Sequence, residues 1–272
     1  MELARVGTSK AISRVQQRLH LFRDVLQGDG ISVDIGEQQL GKSVFYCCYL
    51  KTNGVAEICR YQLAETIADI ITEILQAEYI RRILRCHYTG FDRVEEGSIC
   101  AEAQLLAQNP RRKRRIIFAL LDYLNNHVYL HVDGFVRFRL PDYWEELVDC
   151  VDIAVGNFQD RKEHEEFVSL LRFFVDVQEP RLETVQIVRQ NRGYVLLDSQ
   201  QRPVDNSLLC GLSLEPNDYG ASPEDLLLSA LVTLSPSTIV LHSDEDPIFS
   251  TIGEVFSQRI RYCTGCSLCL KD

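Results

Sequence analysis

Long apolar runs are missing from this chain. Stretches such as Ile116–Leu121 and Phe173–Val177 fall far short of the ~20 residues a membrane helix needs. Met1-Glu2-Leu3-Ala4-Arg5 holds no apolar stretch and no small-residue cleavage site, so neither a membrane anchor nor a signal peptide is expected. Internal repeats and low-complexity tracts are also missing. With 46% hydrophobic and 25% charged residues, the composition excludes disorder, collagen and coiled coil as readings of the whole chain. A cationic excess is missing as well. The 29 Lys+Arg face 39 Asp+Glu, a net charge of −10, which argues against a dedicated nucleic-acid binder and leaves only a local basic patch.

Known catalytic signatures are absent too. There is no nucleophile elbow, no His-Glu-x-x-His and no Walker loop. Gly41-Lys42-Ser43 matches only the end of a phosphate loop and reads as a polar turn. Asp122, His127, His131 and Asp133 lie close together in sequence, yet no motif joins them into a catalytic set. His164 sits among Lys162, Glu163, Glu165 and Glu166 on an exposed helix face, and His20 and His87 have no evident partners.

What remains is a protein of 272 residues, long enough for two modest domains or one large one, and expected in the cytoplasm. In a reducing compartment its ten cysteines read as buried thiols, metal ligands or redox groups, not a disulfide framework. Cys47, Cys48, Cys59, Cys86, Cys100, Cys150 and Cys210 are scattered, most of them in apolar patterns. Cys263, Cys266 and Cys269 instead form Cys-x2-Cys-x2-Cys.

The periodicities predict a helix-rich α+β protein. Residues 1–57 read as a small α/β segment, 58–180 as a helical middle, and 181–272 as a C-terminal α/β unit with short parallel strands. In the first segment, Ile12, Val15, Leu19, Phe22 and Leu26 recur at helical spacing behind Ser9 as N-cap. Strands are expected at Ile31–Ile35 and Ser43–Leu50. In the middle, Leu63, Ile67, Ile70, Ile71 and Ile74 form one apolar stripe. Helices follow from Asp92, from Asn109-Pro110 and from Pro141, the last with a break near Gly156. Residues 128–138 read as a short hairpin turning at Asp133-Gly134, with Phe135 and Phe138 in the core. In the last unit, Val185–Leu197 reads as a hairpin and Ser222-Pro223-Glu224-Asp225 as a strong helix start. Two strands joined by a helix, Thr238–Leu241 and Arg259–Tyr262, should be parallel.

Parallel sheets bind ligands beyond the carboxyl ends of their strands. The cysteine triplet follows the last strand, and His242 ends the strand before it. Three Cys and one His is a structural zinc set, so His242, Cys263, Cys266 and Cys269 are the candidate metal ligands. The rival cofactor is an iron–sulfur cluster. The bacterial ferredoxin run needs a fourth cysteine, which here would have to be Cys210, another scattered cysteine or one from a second chain. Redox thiols, or three thiols with no chemistry, are the remaining readings. A second candidate site is the basic run Arg111-Arg112-Lys113-Arg114-Arg115, which could meet phosphates or an acidic partner. Cations at a helix N-terminus oppose its macrodipole, a local cost that asks for a reason.

Several long phrases resemble the YtxC-like sporulation proteins of endospore-forming Gram-positive bacteria. They are Leu120–Leu124, His131–Leu140, Leu171–Pro180 and Leu234–His242, together with Cys263-Thr264-Gly265-Cys266. The resemblance runs from about Arg115 to the end of the chain. It implies a link with sporulation and carries over no catalytic residue. The reading that follows is a non-enzymatic factor that binds a protein partner or a metal. The alternatives are a redox or iron–sulfur protein and a nucleic-acid-linked regulator using residues 111–115.

Overall fold

The computed structural model describes the chain except residues 53, 191–192, 205–221, 243–245, 267 and 270–272. The helix-rich α+β expectation holds. The described residues divide into two units, Met1–Gln159 and Asp160–Asp272, each with its own apolar core.

The first unit opens with β1 (Glu2–Thr8), a strand with no clean period-two pattern. A register irregularity between Glu2 and Ala4 leaves Leu3 and Ala4 both buried, which blurs the alternation. Then come α1 (Ile12–Gly28), β2 (Val33–Leu40) and β3 (Ser43–Leu50). The predicted stripe on α1 is its buried face: Val15, Leu19, Phe22 and Leu26. Its N-cap differs from expectation. The helix starts after Ala11, in a left-handed conformation, and the Ser9 hydroxyl donates instead to Asp133 Oδ2 at 3.2 Å. With the helix starting at Ile12, Ser9 lies two residues before its N-cap, and its N–H also donates to the same carboxylate oxygen.

A helical run follows as α2 (Ala56–Asp69), a π-helical stretch (Ile70–Leu75) and α3 (Gln76–His87). Next are α4 (Arg93–Leu106), α5 (Pro110–Asn126) and β4 (Tyr129–His131). Asp92 caps α4 in a complete capping box with Glu95, and Asn109 caps α5 ahead of Pro110. The strands order as β2-β3-β1-β4, with β1 antiparallel to β3 and parallel to β4.

The hairpin expected at 128–138 is corrected. Only Tyr129–His131 is strand, and Val132–Arg139 is a helix, α6. Because β4 takes its partner from β1, it needs no second arm. His131 Nδ1 accepts the Gly134 N–H and caps the new helix. Val132, Phe135 and Val136 are buried at helical spacing, while Phe138 is 76% exposed and not core. The next helix, α7 (Pro141–Val177), is unbroken at Gly156. One helical glycine costs only about 1 kcal/mol, and Ala154 and Val155 beside it are buried.

The second unit contains β5 (Thr184–Gln190), β6 (Gly193–Leu197), α8 (Pro223–Leu234), β7 (Thr238–Leu241), α9 (Pro247–Phe256) and β8 (Ile260–Tyr262). Its sheet order is β6-β5-β7-β8. The β5–β6 pair is the expected antiparallel hairpin, and β7 is parallel to both β5 and β8. Ser222 caps α8 through the Asp225 N–H, as its sequence predicts. The helix ends at Ser235, buried and left-handed.

Arg259, just before β8, gathers backbone from three places in this unit. Its guanidinium donates to the carbonyls of Ser235 (3.3 Å), Pro236 (3.1 Å) and Val175 (3.2 Å), and to the Ser235 hydroxyl (3.1 Å). Charged hydrogen bonds of this kind contribute about 1.5–3 kcal/mol. An R259A variant is therefore expected to loosen the entrance to β7, an interior strand of this sheet. Amide exchange across Thr238–Leu241 should accelerate roughly 100-fold, the equivalent of about 2.7 kcal/mol. Exchange at the wild-type rate would remove Arg259 from this role.

Candidate metal centre

The centre is built by strand register. Leu241 pairs with Tyr262 across the parallel β7–β8 ladder, so the next residues, His242 and Cys263, emerge side by side. The Cys263 N–H donates to the Leu241 carbonyl at 2.9 Å and carries the ladder one residue further. Alternation puts Val240, Arg261 and the residues two beyond them, His242 and Cys263, on one sheet face.

After Cys263 the chain turns sharply. Gly265 has φ +117°, a conformation that side chains disfavour. The turn brings Cys266 back towards the sheet, and the Cys269 N–H donates to the Cys266 carbonyl at 3.1 Å. His242 Nδ1 lies 3.4 Å from Cys266 Sγ and 3.4 Å from Cys269 Sγ, and the two sulfurs are 3.8 Å apart. One ligand atom from each of His242, Cys263, Cys266 and Cys269 lies within 4.8 Å of all the others. All four residues are half-buried. The structure thus brings together the four residues singled out from sequence, as a set that could hold one metal ion.

The local electrostatics suit ligation. The Leu268 N–H donates to Cys266 Sγ at 3.3 Å, and this bond leads the causes that hold the Cys266 thiol below its ordinary pKa. Cys263 moves the other way. The Gly265 backbone favours its thiolate, but burial and the neighbouring thiols outweigh that and push it up. Burial lowers the pKa of His242 and so favours the neutral imidazole, the form that ligates a metal.

Sequence reasoning missed Gln186 on β5. Its Oε1 lies 3.1 Å from His242 Nε2, on the side of the ring away from the sulfurs. Gln186 is in register with Val240 and therefore shares the face of His242. Only the β5–β7 pairing reveals this.

The other candidates resolve differently. Cys210 lies outside the described residues. Cys47, Cys48, Cys59, Cys100 and Cys150 are buried and Cys86 is exposed. Burial pushes the Cys48 thiol up to about 12, which leaves it inert. His131 Nε2 and Ser43 Oγ are 3.1 Å apart. Its Nδ1 accepts from the Gly134 N–H at 3.4 Å, an arrangement that favours the tautomer in which Nε2–H donates to Ser43.

Within the basic run, Arg112 pairs with Glu146 and donates to the Ala107 carbonyl; Arg115 also pairs with Glu146, and Lys113 pairs with Asp69. Arg112 is 7% exposed. Only Arg111 and Arg114 are exposed residues of the run outside these pairs. Much of its charge is thus committed inside the first unit.

The sequence model of the YtxC-like family matches residues 61–261. The chain belongs to the YtxC-like family. A relative from Bacillus subtilis (strain 168), named "Uncharacterized protein YtxC", is 26% identical over 255 residues, covering 89% of this chain and 88% of its own. The likeness therefore reaches further towards the N-terminus than the phrases from Arg115 onwards suggested. The family span includes Gln186 and His242 and ends just before Tyr262, ahead of the cysteine triplet. No solved structure matches the chain. No helix among the described residues is long and apolar enough to cross a membrane.

The ion pairs of the basic run carry a stability prediction. Burial alone would raise the Glu146 carboxyl, but hydrogen bonds and charge from Arg115 and Arg112 outweigh it and hold it below its ordinary 4.5. A depressed carboxylate stabilises the fold fully above its unfolded pKa, and that contribution is lost as pH falls through the folded value. E146Q leaves the buried Arg112 without its counter-charge. It is expected to lower the stability of the first unit by about 3 kcal/mol at neutral pH, read by the fluorescence of Trp144 in urea. Below about pH 4 the gap between the two proteins should narrow. A constant gap across the acid range would show that the carboxylate's charge is not the cause.

Proposed function

We propose that this protein is a cytoplasmic, non-enzymatic factor associated with sporulation. In this reading it carries one structural zinc ion on His242, Cys263, Cys266 and Cys269 and acts by binding a protein partner. The observation that carries the zinc reading is the spacing of the donor atoms. Tetrahedral zinc with bonds of ~2.3 Å to sulfur and ~2.0 Å to nitrogen requires sulfur–sulfur separations of about 3.8 Å and sulfur–nitrogen separations of about 3.5 Å. Among His242, Cys266 and Cys269 the corresponding distances are 3.8 Å and 3.4 Å, and with Cys263 Sγ included the four donor atoms all lie within 4.8 Å of one another.

The donor set supports a structural role. Four protein ligands fill a tetrahedral shell, whereas catalytic zinc keeps a position open for water or substrate. The close spacing of all four donors also favours a single ion over an iron–sulfur cluster, whose four ligands are divided between two or four irons and spread further apart as a set. Soft thiolates with one imidazole suit zinc better than magnesium or calcium, which take oxygen ligands. The sporulation link rests on the family. The non-enzymatic reading rests on the closed donor set together with the lack of a catalytic signature in the sequence.

Anaerobically purified, untagged protein is expected to contain near-stoichiometric zinc by mass spectrometry. A variant with C263S, C266S and C269S should contain none. Iron with sulfide would move the function to redox chemistry, and no metal in either protein would sink the zinc reading. In a spore-forming host, the same triple variant in place of the native copy should yield fewer heat-resistant spores with unchanged vegetative growth. Wild-type spore counts would separate the centre from sporulation.

A further inference from the structure

The contacts around Gln186 determine which nitrogen of His242 faces the three sulfurs. Gln186 Nε2 donates to the backbone carbonyl of Asp198 at 2.8 Å. A carbonyl only accepts, so this contact points the amide nitrogen at Asp198 and the amide oxygen at His242. That oxygen lies 3.1 Å from His242 Nε2. It too can only accept, so Nε2 must carry the imidazole proton. The neutral ring then has its free lone pair on Nδ1, the nitrogen 3.4 Å from both Cys266 Sγ and Cys269 Sγ.

Asp198 is itself held in place. Its carboxylate accepts the N–H groups of Gln200 (2.7 Å) and Arg202 (3.0 Å) and the Arg202 Nε–H (3.0 Å). Its N–H donates to the Arg202 carbonyl at 2.8 Å. The turn after β6 therefore fixes the Asp198 carbonyl, the carbonyl fixes Gln186, and Gln186 fixes the ring.

We propose that Gln186 is a positioning residue of the metal centre, which locks His242 as its Nε2–H tautomer and aims Nδ1 at the ion. The inference rests on the zinc reading above. It goes further by naming the ligating nitrogen and the residue that selects it. Outer partners of this kind typically change metal affinity 10–100-fold when removed.

The test uses the full chain and zinc alone. Q186L should bind zinc roughly 10–100-fold more weakly than wild type in competition with a chromophoric chelator. Q186E, which keeps an oxygen acceptor opposite Nε2, should recover most of that affinity even though it gives up the donation to Asp198. A residue that only stabilised the sheet would not separate these two variants by the acceptor they keep. Long-range nitrogen–proton NMR of the imidazole should find the proton on Nε2 in the wild-type protein, with and without zinc. Equal zinc affinity in Q186L and wild type, or a proton on Nδ1, would overturn the proposal while leaving the zinc reading intact. A wild-type protein that binds no zinc would overturn the metal reading and any positioning role towards an ion. The NMR spectrum would then still decide whether Gln186 sets the tautomer.

Discussion

The parallel register between β7 and β8 governs where the chemistry of the second unit lies. Two strands of four and three residues end level with one another, so the residues that follow them are neighbours. A slip of one residue would turn Cys263 to the opposite face of the sheet and away from His242. The register is secured by what surrounds it: Ile239 is fully buried within the core, and Arg259 ties the entrance of β8 to three carbonyls. The arrangement of four donors thus depends on packing and backbone bonds several residues away from any sulfur.

The first unit shows a different use of charge. Five consecutive cations at the start of α5 oppose that helix's dipole. The structure supplies the compensation: Arg112 reaches the carbonyl of Ala107, the residue that closes α4. A cation is favourable at a helix C-terminus. The same side chain that is misplaced for one helix is therefore well placed for its neighbour, and Glu146 neutralises what remains. A run that reads as a surface for polyanions is in large part an internal joint.

Much of the architecture was legible because local signals agreed with one another. The boundaries of β3, the hairpin of β5 and β6, the start of α4, the openings of α5 and α8 and the parallel pair before the cysteines all follow from period, turn residues and capping chemistry. Apart from the break expected in α7, where one glycine proved too small a cost to end the helix, the misses share a cause: each was decided by a partner distant in sequence. Ser9 leaves its helix for Asp133, and residues 132–139 coil because β4 finds β1. The irregularity in β1 hides its alternation. The clustering of the four candidate donors was legible because Cys-x2-Cys-x2-Cys is local and His242 is one strand upstream. Gln186 was not, because a polar residue inside a hairpin strand carries no mark until the register of β5 against β7 is known.

The helix α9 lies in the crossover between β7 and β8, with His242 before it and Cys263 after it. A cation shared by those two side chains would close the crossover into a ring of about 20 residues. Unlike a disulfide, such a closure would exist only while the strands hold the donors together, so its binding free energy would add directly to the folding free energy of the unit. A centre of this kind would tie the stability of the β7–β8 edge to the supply of the ion.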